Sequence, residues 1–117
     1  MIQFHTLNNT IVAELTDESY IVAGPEEAID LFANIGQNDC NRIIIRESNL
    51  HPDFFDLKTR VAGEILQKFS NYDVKLAIIG DFSKYPGKSL QDFIRESNRG
   101  SRIFFTDDLE SALRRLE

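Results

Sequence analysis

Residues 53–82 read DFFDLKTRVAGEILQKFSNYDVKLAIIGDF. The stretch predicts a capped helix, a short turn and a buried strand that ends in a polar loop. Asp53 is placed as the cap of a helix running to about Ser70. Val61, Ala62, Ile65, Leu66 and Phe69 recur there at the spacing of one helical face. Gly63 lies within that helix and costs about 1 kcal/mol relative to alanine, which points to close packing against a neighbour. Val74 to Ile79 is a continuous apolar run, as expected of a strand covered on both faces. A helix feeding such a strand is half of a strand–helix–strand crossover, so the fold class is α/β.

Working outward, the same alternation recurs. Arg42 to Arg46 holds Ile43-Ile44-Ile45, a β-branched run typical of a central strand. The preceding helix opens at Gly24-Pro25-Glu26-Glu27, buries Ala28, Leu31, Phe32 and Ile35, and ends at Gly36. Ile2 to Leu7 and Thr10 to Leu15 alternate around Asn8-Asn9, which predicts a hairpin. Tyr20 to Ala23 is expected as a short third strand. On the far side, a helix from about Ser89 to Asn98 buries Leu90, Phe93, Ile94 and Ser97, and Gly100 stops it. Arg102 to Thr106 is the last strand. Asp107 caps a final helix with Leu109, Ala112, Leu113 and Leu116 on one face. The order is β-β-β-α-β-α-β-α-β-α. It predicts one domain over residues 1–117, a mixed and largely parallel sheet with the N-terminal hairpin at an edge, followed by right-handed βαβ units with helices packed on the sheet.

Four segments, DFFDLKTRVAGEILQKF, VKLAIIGDFS, KSLQDFIRESNRG and IFF, resemble the DUF4180 family of small bacterial domains of unknown function. The resemblance spans nearly the whole chain. It implies the fold and carries no activity, substrate or catalytic residue. The element order also resembles, in topology only, the STAS/SpoIIAA-like regulatory domains. In those that regulate sigma factors, a phosphorylated serine begins the helix after the corresponding strand. Here that region is Asp53-Phe54-Phe55-Asp56-Leu57-Lys58-Thr59, with Ser48 upstream, so the serine position is not matched.

A chain of 117 residues, 42% hydrophobic and 27% charged, is long enough for a core without disulfides or metal. It has no apolar run near the ~20 residues of a membrane helix and no secretory leader at MIQFHTLNN. The single cysteine, Cys40, excludes an internal disulfide and points to a cytoplasmic setting. Net charge of −6 argues against nucleic-acid binding. Arg95, Arg99, Arg102, Arg114 and Arg115 instead suit helix ends and a solvated face.

Chemistry in open α/β sheets collects beyond the carboxyl ends of parallel strands. Three loops converge there: Glu47 to Asp53, Gly80 to Lys88, and Thr106-Asp107-Asp108. The second, GDFSKYPGKS, ends in Gly-Lys-Ser. A phosphate loop needs a glycine five residues before Gly87, where Phe82 stands, and Pro86 removes an amide donor. The ligand-binding candidates are Glu47, Asp53, Asp56, Asp81, Ser83, Lys84, Lys88 and Ser89. Asp53 and Asp56 also read as a cap and a first-turn acid, and Asp81 as a turn residue. Phe54, Phe55, Phe82 and Tyr85 are interaction-surface candidates. His5, His51 and Cys40 have no metal-ligand spacing, and His51 reads as a surface residue. No catalytic residue, metal or cofactor is assigned.

These signals favour a non-enzymatic protein-interaction or regulatory module. The alternative is a small-molecule or anion-binding protein, with an enzymatic role left open, that uses the rim of Glu47, Asp53, Asp81, Ser83, Lys84 and Lys88. The first requires an exposed apolar patch around Phe54–Phe55 or Phe82–Tyr85. The second requires a concave pocket with convergent polar groups. The expected partners are an unidentified protein or a second copy through Ile2–Leu7 or the last helix, with neither nucleic acid nor membrane.

Overall fold

The computed structural model describes residues 2–117. Strands β1 (Ile2–Leu7) and β2 (Thr10–Leu15) form the predicted hairpin. Asn8 and Asn9 both take positive φ, 48° and 68°, as a two-residue type I′ turn requires. There follow α1 (Pro25–Gly36), β3 (Arg42–Arg46), α2 (Val61–Asn71), β4 (Lys75–Ile79), α3 (Lys88–Arg99), β5 (Ile103–Thr106) and α4 (Leu109–Leu116). The sheet order is β1-β2-β3-β4-β5. Only the β1–β2 pairing is antiparallel. The chain is α/β with a mixed five-stranded sheet and four helices on it.

Each parallel crossover steps to the next strand in the same direction. Crossovers of one hand that step one way land on one face, so α1, α2 and α3 share a layer. Their buried residues, among them Leu31, Ile35, Ile65, Phe69 and Ile94, meet Ala13, Leu15, Ile43, Ile45, Leu76 and Ile78. The other face carries only α4, whose Ala112 and Leu116 cover Val12, Ile44, Ala77 and Phe104. The isoleucine run of β3 is thereby buried from both sides. Each such side chain contributes roughly 1.5–3 kcal/mol.

The structure corrects the element predictions in several places. Tyr20 to Ala23 is not a strand; Val22 alone makes a bridge, to Leu50. Asp53 does not cap α2. The chain makes 3₁₀ turns at Pro52–Phe55 and Leu57–Thr59, and α2 starts only after Arg60, which is left-handed with φ of 66°. Local side chains explain the delay. Thr59 Oγ1 donates to the carbonyls of Asp53 (2.6 Å) and Asp56 (2.8 Å), competing with helical bonding. Gly63 is exposed, with nothing within 4 Å of where a Cβ would lie, so it makes no close approach. The cap of α4 is Asp108, which accepts Ser111 N–H (2.7 Å), and not Asp107.

Beyond Val12, toward the far end of β1 and β2, this face is polar. Glu14 is buried there, with Oε1 accepting from His5 Nε2 (2.8 Å) and Oε2 from Arg46 Nη2 (2.8 Å). Burial pushes the Glu14 carboxyl up, but the hydrogen bonds and charges of His5 and Arg46 outweigh it and hold it below its ordinary range. A lowered folded value means that this contribution is fully present above the ordinary value of 4.5 and is lost as pH falls through the lowered one. Glu14→Gln is expected to cost about 1–3 kcal/mol at neutral pH. It should also flatten the acid limb of the urea-midpoint profile below pH 4.5. Parallel profiles for variant and wild type would contradict this.

Candidate functional site

The strand order never reverses, so the sheet lacks the switch point at which α/β folds usually open a crevice. The loops build one instead. Beyond β3 the chain makes a 3₁₀ turn over Glu47–Asn49. Asn49 is buried and fully used. Its Oδ1 accepts Arg46 N–H (3.0 Å), and its Nδ2 donates to the carbonyls of Asp17 (3.0 Å) and Tyr20 (2.8 Å). The segment before α1 is held against this turn by Val22 N–H to Asn49 O (2.7 Å) and His51 N–H to Val22 O (3.3 Å). Ile21, 41% exposed, becomes one wall of a cleft.

Beyond β4, the Asp81 carboxylate accepts Ser83 N–H (3.1 Å) and Oγ–H (2.6 Å) and starts a 3₁₀ turn over Phe82–Lys84. Gln91 of α3 donates to the carbonyls of Phe82 (2.7 Å) and Tyr85 (2.8 Å) and holds the turn from below. Lys84 and Tyr85 therefore face the first loop. Lys84 Nζ lies 2.7 Å from Glu47 Oε2, and the Tyr85 hydroxyl donates to that same oxygen. Burial pushes the Tyr85 phenol well up, and the hydrogen bond to Glu47 and its charge push it further, so it stays a donor. Gly80 makes this approach possible. A Cβ there would lie 2.7 Å from Glu47 Cβ and 2.8 Å from its Oε1.

Between the loops is a cleft of about 520 Å³. Ile21, Leu50, Pro52 and Phe55 form its apolar walls, with the Phe55 ring stacked on Tyr85 (4.7 Å, 13°). Glu47, Ser48, His51 and Lys84 supply its polar groups. Glu47 Oε2 is taken by two donors, while the Lys84 ammonium, 55% exposed, has donors to spare. His51 Nδ1 accepts Asp53 N–H (3.1 Å), which leaves the proton on Nε2 as a further donor.

Of the residues singled out from sequence, Glu47, Lys84, Tyr85 and Phe55 come together. Of the other polar candidates, only Asp53 touches a cleft residue, with its Oδ2 3.6 Å from His51 Nδ1, and the rest stand apart. Asp53 and Asp56 are exposed, and the Asp56 carboxylate accepts Lys58 N–H (3.2 Å). Asp81 and Ser83 satisfy each other, and the Ser83 bonds hold the Asp81 carboxyl below its usual range. Lys88 pairs with Asp92 (2.7 Å) in solvent, and Ser89 borders a separate depression beside Leu57 and Gly87. Phe54 is fully buried, and Phe55, Phe82 and Tyr85 are half-buried in one ring cluster, with Phe82 edge-on to Phe105 (5.1 Å). Ile21 and Gln91 lie outside the rim loops read from sequence, and Asn49 and His51, inside the first of them, are not among its candidates. An isolated Gln on a helix or Asn in a turn carries no local signal of a distant carbonyl. Among the described residues no cluster of three metal-ligating side chains occurs, and no helix is long and apolar enough to cross a membrane.

A family model described as a domain of unknown function, DUF4180, matches residues 7–116 of the chain. The chain belongs to the DUF4180 family. No curated protein and no solved structure matches it.

Gly80→Ala is expected to force Glu47 away from Tyr85 and Lys84. The expected cost is about 1–3 kcal/mol in urea unfolding, as for other overpacked sites. Spectrophotometric titration should show the Tyr85 phenol moving back toward its ordinary range. An unchanged tyrosine titration would mean that the two loops do not depend on this contact.

Proposed function

We propose that the domain binds a small organic anion with a flat, apolar body in the cleft between the Glu47 turn and the Lys84–Tyr85 turn. One observation carries this: three donor groups line the cleft beside apolar walls. The Lys84 ammonium, the His51 Nε2–H and the Ser48 hydroxyl surround a space walled by Ile21, Phe55 and the Tyr85 ring. Such a site takes a carboxylate or phosphate at the donor end and an aromatic or aliphatic body along the rings. Glu47 Oε2 serves two donors that join the two loops, so Glu47 is read as a structural member of the site. The buried thiol of Cys40, bonded to the Ile11 (3.4 Å) and Arg42 (3.2 Å) carbonyls, supports a reducing, cytoplasmic setting.

A protein-interaction or regulatory role, in keeping with the STAS-like element order, is the second reading. Its support is an open groove of about 620 Å³ along α2, where Leu57 and Phe93 offer apolar surface and Gly63 leaves free space.

Phenyl phosphate and benzoate, with benzyl alcohol as the uncharged control, are suitable probes in two-dimensional amide NMR. The two anions should shift the amides of residues 47–51 and 82–85 in a saturable way, and the alcohol much less. Lys84→Gln should weaken binding of the anions about tenfold, or ~1.4 kcal/mol. Shifts confined to residues 57–68 and Phe93 would favour the groove and the second reading.

A further inference from the structure

The two edges of the sheet are finished differently. At the β5 edge, the side-chain amide of Asn98 closes the backbone. Its Nδ2 donates to Phe105 O (3.2 Å), and its Oδ1 accepts Phe105 N–H (2.7 Å). It takes the place of a neighbouring strand. β5 is also only four residues long.

β1 has no such guard among the described residues. Its type I′ turn makes Leu7 and Thr10 a bonded pair. Bonding alternates along an antiparallel ladder, so His5 and Gln3 also bond inward to β2. The N–H and C=O groups of Ile2, Phe4 and Thr6 therefore face outward. The strand, IQFHTL, contains no proline, lysine, arginine or carboxylate, in a chain that is 27% charged. Its register against β2 is unbroken over all six residues, so no bulge turns it away. These are the usual protections of a free edge, and all are missing. At its centre Phe4 is 39% exposed, on the same face of the sheet as Ile2.

We infer that a second copy of this chain pairs with β1, antiparallel about a two-fold axis at Phe4, and joins the two sheets into one. Phe4 then faces Phe4 of the other copy, and Ile2 faces Thr6. Every outward donor meets an outward acceptor, in about six backbone hydrogen bonds. The pattern is self-complementary, as a two-fold interface must be. The central aromatic pair adds a favourable cross-strand contact. If two copies meet, charge places the contact here. Two chains of net charge −6 repel one another over most of their surfaces, and β1 offers an approach with no formal charge of its own except through His5, which is engaged with Glu14 on the opposite face.

The test is the mass of the whole chain across a wide concentration range, by light scattering and native mass spectrometry, with three variants. Wild type should dimerise. Phe4→Lys should raise the dimer dissociation constant about a hundredfold or more while leaving circular dichroism unchanged. Thr6→Pro removes an outward N–H that no internal bond uses and should have the same effect. Phe4→Cys should crosslink readily under mild oxidation. Bonded antiparallel partners lie about 5.5 Å apart at Cα, within disulfide reach, and the native Cys40 is buried. A wild type that stays monomeric throughout overturns the inference. So does a dimer that survives Phe4→Lys and fails to crosslink through Phe4→Cys. A monomer whose Phe4 and Thr6 amides gain protection only from an added extended peptide would assign the edge to a foreign strand, and would overturn it too.

Discussion

Parallel strands cannot be joined by tight turns; each needs a crossover, and a crossover helix must be buried on the sheet it spans. In this chain all three crossovers step the same way, from β2 to β5. Most of the architecture follows. α1, α2 and α3 crowd one face, and α4 is left to cover the other alone. Eight turn-forming residues of helix cannot cover five strands, so α4 lies over β3, β4 and β5. The strands beneath it are apolar on both sides: Ile43, Ile44 and Ile45 in β3, and Leu76, Ala77 and Ile78 in β4. Where its cover stops, the sheet turns polar, and Glu14 is admitted only because His5 and Arg46 both bond to it.

The same stepping order deprives the sheet of a ready-made ligand crevice. The cleft is built by side-chain amides that satisfy loop carbonyls. Asn49 ties the exit of β3 to the Asp17 and Tyr20 carbonyls, and Gln91 ties the exit of β4 to α3. Backbone groups in half-buried loops must find partners, and these two amides supply them without forming regular structure. Glu47 then joins the two loops, across a gap that only a glycine at position 80 leaves open. The aromatic residues of these loops turn inward for the same reason. Phe54 fills the core, and Phe55 and Tyr85 stack on one another instead of forming an exposed patch.

The elements that were legible in the sequence are those whose signal is local. The hairpin announced itself through Asn8-Asn9 and alternation, and the core faces of α1 and α2 through the spacing of Ala28, Leu31, Phe32 and Ile35 and of Ala62, Ile65 and Phe69. The misplaced start of α2 shows where such signals fail. Asp53 followed by an apolar periodicity resembles a capped helix, but the Thr59 hydroxyl captures two carbonyls and holds the chain in 3₁₀ turns until Arg60. Tyr20 to Ala23 has the composition of a strand. It lies beside a loop rather than beside a strand, so it gains only the single bridge of Val22.

By itself the sequence determined the fold class, the hairpin and the strand–helix alternation that follows it, and the faces these elements bury. Those depend on periods of two and 3.6 residues and on turn chemistry within a few positions. It also placed Glu47 and Lys84 in the loops beyond the parallel strands. Only the tertiary structure decided that Glu47, Lys84 and Tyr85 meet at one oxygen, that Ile21 and His51 wall the same cleft, and that Asp81 and Lys88 stay outside it. It alone decided that one sheet edge is closed by Asn98 and the other left open. Each of these facts joins residues far apart along the chain. Nothing in a residue's neighbours along the chain records which distant carbonyl or carboxylate the folded backbone will bring within hydrogen-bonding reach.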